Sequence, residues 1–173
     1  MQNTPIKLAT LATLLIGPTA LADYPATVLA SNPLAYYRFE EAPGATTLID
    51  SSGNGLDIDN SFPAGTTVLG SDGAVGSAVT FNGDGYLVSP LSLDTSIGDF
   101  TIEAIIKRTA GVPEGVVIAN QDGNLGPGRS NLVVNGAGFI TTFSGGATTN
   151  SGVINTGESF DHVILTFDQS AVA

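Results

Sequence analysis

Oxygen ligands crowd the turns of this 173-residue chain. Asp50, Asn54, Asp57, Asp59, Asp84, Asp122, Asn124 and Asn131 all lie in stretches rich in Gly or Ser. Such side chains, with nearby carbonyls, form the donor set of calcium, which takes six to eight oxygens, many of them from loops. The same residue types also bond their own backbone in Asx turns, and either use fits them. No D-x-[DN]-x-[DN]-G run is present, which excludes the loop of an EF-hand.

Candidates for acid–base chemistry are few. Beyond the N-terminal segment the Glu residues are Glu40, Glu41, Glu103, Glu114 and Glu158, and none has an acid two or four residues later. Glu103 lies between Ile102 and Ala104, with Lys107 on the same strand face, and fits an ion-paired strand residue better than a catalytic acid. His162 is the sole imidazole. Ser and Asp abound, so counting alone does not exclude a Ser-His-Asp triad. No G-x-S-x-G elbow accompanies it, and a strand histidine bonded to a neighbour is the expectation. Gly126-Pro127-Gly128-Arg129 lacks the remainder of a phosphate loop and reads as a loop tip. We expect no catalytic residue.

Composition narrows the classes further. Asp plus Glu number 16 against 5 Lys plus Arg, a net charge of −11. Phosphate contacts need clustered cations, so nucleic acid is not an expected partner. With no Cys and one His, disulfide scaffolds, thiolate zinc and multi-His zinc are excluded. Hydrophobic residues make up 42% and charged residues 12%, too apolar for a disordered acidic tail.

Residues 1–22 resemble an export signal. Lys7 precedes the apolar run Leu8–Ile16, Gly17-Pro18 breaks it, and Ala20-Leu21-Ala22 matches a small-x-small cleavage pattern. The run is shorter than the roughly 20 residues of a membrane span. Cleavage after Ala22 removes Lys7 and takes the net charge from −11 to −12. The expectation is a Sec-type signal peptide over 1–22, a mature domain over 23–173 without a transmembrane helix, and a bacterial protein that is secreted or on the cell surface.

The elements that must position these residues read as short strands. In Phe100–Arg108, Phe100, Ile102, Ala104 and Ile106 share one face at the two-residue period. His162–Asp168 alternates likewise, with Val163, Leu165 and Phe167 together. Val116–Ala119 is a short apolar run. Leu132–Asn135 and Phe139–Phe143 flank the hairpin signal Asn135–Gly138. Ala35–Glu40, Ala78–Asn82 and Tyr86–Val88 are further strands, and Asn54–Gly76 is a long loop with one weak strand. No stretch of eleven or more mature residues carries a helical apolar stripe. Such a pattern predicts an all-β sandwich or jelly roll.

The order of segments resembles the concanavalin A-like lectin/glucanase superfamily, in its laminin-G-like (LamG) bacterial branch. The resemblance is carried by Asn32–Glu41 (NPLAYYRFEE), Asp50–Gly55 (DSSGNG), Gly76–Gly83 (GSAVTFNG), Asp99–Ala104 (DFTIEA) and Phe160–Asp168 (FDHVILTFD). It implies a concanavalin A-like jelly-roll sandwich of antiparallel sheets. Relatives continue past the last of these strands, so the resemblance also implies a domain whose closing C-terminal strands lie outside this chain. Trp is usual in the family at the positions of Tyr37, Ile105 and Phe160, and this chain has none. Those positions serve the core, so packing volume changes more than chemistry.

The resemblance carries functional expectations too. Glucanases of the superfamily bear a strand of E-x-D-x-E type, whose period places two carboxylates on one face for retaining hydrolysis. That strand is missing here, so a glycoside hydrolase is the second expectation and a purely structural surface domain the third. The first is a lectin-like binding or adhesion module for carbohydrate or extracellular protein. Calcium is the implied cofactor, at Asp50 and Asn54 in one turn and at Asp122, Asn124 and Asn131 in the loop from Asn120 to Asn131. Tyr36 and Tyr37 are candidates for sugar stacking, with one of the two expected in the core.

Overall fold

The computed structural model describes residues 23–60, 67–83, 85–91, 99–109, 115–119, 131–134, 139–144, 147–154 and 159–167. Among them are one short helix and ten strands, and every strand pairing is antiparallel, so the fold is all-β. No helix among the described residues is long and apolar enough to cross a membrane. The chain divides into two compact units, with a boundary between Ser92 and Leu93.

In the first unit, α1 (Tyr24–Ala30) has Pro25 in its first turn, where a missing N–H is tolerated, and it buries no residue. β1 (Thr47–Leu48) pairs with β2 (Ile58–Asp59), placing Leu48 opposite Ile58. β3 (Thr67–Asp72) pairs with β4 (Ser77–Phe81). Leu48 is 1% exposed and forms a core with Ile58 and Leu69, against which Tyr37, Phe39, Ala45, Val79 and Leu87 pack. Gly70 is an extra residue in the β3–β4 register, a bulge with φ 79°. A Cβ there would lie 3.1 Å from Pro43 Cγ, so both backbone and space favour Gly.

The expected strand at Ala35–Glu40 does not form. Only Tyr37 makes a bridge, to Asp50. At Phe39 the backbone takes φ 56°, a region rare for residues other than Gly, and the extended run ends there. The Tyr37 and Phe39 rings stack with centroids 6.3 Å apart.

In the second unit, β5 (Phe100–Ile106) pairs with β10 (Asp161–Phe167) over its whole length, with Ala104 opposite Val163. Phe100, Ile102 and Val163 are buried, while Thr101, Glu103 and Thr166 stay exposed, as period-two alternation requires. Ile106 packs against Val163, as do Val117 and Ile118 of β6 (Gly115–Ala119). Strands β6, β7 (Asn131–Val134), β8 (Phe139–Ser144) and β9 (Ala147–Ile154) form a meander in chain order. The expected turn Asn135–Gly138 lies outside the described residues, but the strands it joins pair, Val134 with Ile140.

Truncation at the centre of the first core leaves a void. Leu48→Ala is expected to cost about 3 kcal/mol in urea unfolding. Val68→Ala, on the exposed side of β3, is expected to stay within about 0.5 kcal/mol of the parent.

Candidate functional site

The turn Asp50–Asn54, singled out from sequence, is densely hydrogen-bonded. Asp50 is 5% exposed and is the one charged residue found buried among the described residues. Its Oδ1 accepts the N–H of Tyr36 at 2.9 Å and of Ser52 at 3.0 Å. Its Oδ2 accepts the Ser52 hydroxyl at 2.8 Å and the N–H of Leu56 at 3.2 Å. Each oxygen thus takes two hydrogen bonds, filling the four lone-pair positions of a carboxylate. Burial alone would push this carboxyl up. The bonds from Tyr36 N–H, the Ser52 hydroxyl and N–H, and Leu56 N–H outweigh it and hold the pKa at about 2, below the usual 3.8.

Neighbouring acids repeat the device. Asp57 Oδ1 accepts the Asp50 N–H at 2.8 Å, and Glu41 Oε1 accepts the Ile49 N–H at 2.8 Å. Glu40 Oε2 accepts the Ser77 N–H at 3.2 Å while its Oε1 pairs with Arg38. These carboxylates act as acceptors for backbone that the short strands leave without ladder partners.

Asn54 locks the other side of the turn. Its Nδ2 donates to Leu34 O at 3.0 Å and to Pro33 O at 3.2 Å. Its own N–H donates to Ser52 Oγ at 3.3 Å. Tyr37 then covers the turn, donating its hydroxyl to Leu56 O at 2.7 Å. Ser89 Oγ lies 2.6 Å from the same hydroxyl. A phenol has one proton, so Ser89 is the donor of that pair, and Ser89 Oγ in turn accepts the Leu91 N–H at 3.1 Å. Burial raises the Tyr37 pKa. The Ser89 bond opposes this, and the charges of Asp50 and Asp57 add to it.

A calcium ion fits this turn poorly. It would have to displace four donors from Asp50, and Asn54 uses its amide as a donor toward carbonyls that calcium would otherwise take. No group of three or more His, Asp or Glu placed to hold a metal occurs among the described residues. Of the other predicted ligands, Asn131 is the first residue of β7, opposite Ala119 and Phe143. Asp122 and Asn124 lie outside the described residues. Tyr37, Leu56 and Ser89 complete the knot, and no local spacing links them in the sequence.

On the outward face of β5–β10, His162 Nε2 lies 2.6 Å from Glu103 Oε1. The Thr101 and Thr166 hydroxyls bond beside them at 3.3 Å. Lys107 lies on the same alternation but sits 5.5 Å over the Phe160 ring. Glu103 therefore pairs across the strands with His162.

Asp50 is depressed in the folded state, so its contribution is complete above pH 3.8 and lost as pH falls through about 2. Urea unfolding followed from pH 4 down to 2 is expected to show a loss on the order of 1 to 2 kcal/mol from this group, absent in Asp50→Asn. Tyr37→Phe removes the hydroxyl between Leu56 and Ser89, and is expected to cost about 1 to 2 kcal/mol at neutral pH in the same assay.

Compared with protein-family models, with curated proteins and with solved structures, the chain matches none.

Proposed function

We propose that the chain is an exported, lectin-like binding or adhesion module with a concanavalin A-like jelly-roll fold, which recognises carbohydrate or an extracellular protein. The all-antiparallel β build and the order of sequence motifs support this reading. The observation that carries it is the pair of exposed rings at the end of β4 and just after it in the sequence. Phe81 is 47% exposed and Tyr86 58% exposed, one on each side of residues 82–85. Large exposed aromatics beside a polar, Gly-rich stretch of sequence are suited to stacking on the apolar faces of sugar rings. The net charge of −11 favours neutral or cationic ligands over anionic ones.

A calcium-dependent form of this reading assigns the ion to Asp122, Asn124 and Asn131, because Asp50 is engaged by backbone donors. The Glu103–His162 pair sits on a β5–β10 face that also carries two threonines, a setting suited to a strand-stabilising contact.

Glycan-array binding by the exported chain tests the proposal. Phe81→Ala and Tyr86→Ala are each expected to weaken a positive signal about tenfold without lowering the melting temperature. Loss of signal with a chelator identifies the calcium-dependent form. Release of reducing sugar that is lost in Glu103→Gln would identify a hydrolase instead, and neither binding nor release would leave a structural surface domain.

A further inference from the structure

The turn that Asp50 organises contains an asparagine followed by a glycine. At such pairs the glycine nitrogen, with no Cβ beside it, attacks the preceding carboxamide more readily than at any bulkier neighbour, which makes Asn-Gly a thermolabile pair. Asn54–Gly55 has its nucleophile open and its leaving group tied. Gly55 is exposed at φ 73°, and a Cβ built on it would meet nothing within 4 Å. Among the described residues its N–H donates no hydrogen bond. By contrast, the Asn54 amide nitrogen is held by two carbonyls, at 3.0 Å and 3.2 Å, and Ser52 Oγ holds the Asn54 N–H.

We propose that Asn54–Gly55 is a self-modification site that the knot around Asp50 holds unreacted. In the reaction the Gly55 nitrogen bonds to Asn54 Cγ, and the Cγ–Nδ2 bond breaks. Nδ2 departs as ammonia, carrying the proton that Gly55 N loses. Solvent water then opens the five-membered imide at either carbonyl, leaving an aspartate or its iso-linked isomer in place of Asn54, with no change of oxidation state. Expelling Nδ2 takes away the donor shared by Pro33 and Leu34, so both of those bonds must break before ammonia can leave. Neither product keeps the amide donor that the two carbonyls need: aspartate puts a carboxylate at Cγ, and the iso-linked isomer turns Cγ into the chain's own peptide carbonyl, so reaction prevents the knot from closing again in its original form.

The full chain, incubated in oxygen-18 water and mapped by peptide mass, tests this. In the folded protein at about pH 8 and 37 °C, conversion of Asn54 is expected to be about tenfold or more slower than in a parallel sample unfolded in urea. Ser52→Ala, which removes one tie, is expected to move the folded rate toward the unfolded one. Equal rates in the folded and unfolded samples, or no conversion in either, would overturn the proposal. A second measurement separates charge from simple loss of the amide. Asn54→Asp is expected to melt below Asn54→Ser, and equal melting would overturn the claim that the product disables the knot. Neither result depends on any ligand, so both stand apart from the binding assays.

Discussion

A buried carboxylate with every acceptor position filled is the constraint on which the first unit depends. Removing Asp50 from water is costly unless its charge is met by donors. The chain meets it with two backbone N–H groups from its own turn, one from Tyr36 across the bridge, and a serine hydroxyl. Those donors belong to segments with almost no strand pairing, since β1 and β2 are two residues each. The carboxylate therefore does for Tyr36, Ser52 and Leu56 what a sheet ladder does elsewhere. Leu48 and Ile58 flank the segment that the knot closes, and they reach the core because of it.

The second unit is held differently. β5 and β10 match along seven residues, and on the inward side Ile102 and Ala104 lie opposite Leu165 and Val163, with Asp161 opposite Ile106 at the end of the ladder. Here alternation alone sorts the residues, with Phe100, Ile102 and Val163 inward and Thr101, Glu103 and Thr166 outward. The outward polar groups pair with one another across the two strands, which adds a modest increment and helps to fix register.

The two modes of construction explain what the sequence reveals. Phe100–Arg108 and His162–Asp168 are legible because their hydrophobic period is strict, and the structure has both as strands to within two residues. β9 is not, because Ala147–Ile154 is mostly Thr, Asn, Ser and Gly and carries no apolar alternation. Ala35–Glu40 has the alternation but no ladder, since Phe39 turns the backbone. β3 falls within Asn54–Gly76, expected as a long loop with one weak strand, and Gly70 inside it is a bulge. At the candidate site, the importance of Asp50 and Asn54 is visible from residue type and turn context. What an oxygen faces is not visible, because a carboxylate serves a cation or an amide N–H equally well. The parts played by Tyr37 and Ser89 depend on a contact between residues 52 apart, which no local pattern encodes.

The reach of the knot along the chain also orders the folding process. Tyr36 and Asp50 are 14 residues apart, whereas Glu103 and His162 are separated by 59. Loop-closure entropy grows by about 0.6 kcal/mol per doubling of length, so the longer closure starts about 1.2 kcal/mol behind. Its ladder must then zip before burial of Val163 repays that deficit. A chain emerging from the unfolded ensemble meets the Asp50 closure as its shorter search, and the β5–β10 pairing as the slower one.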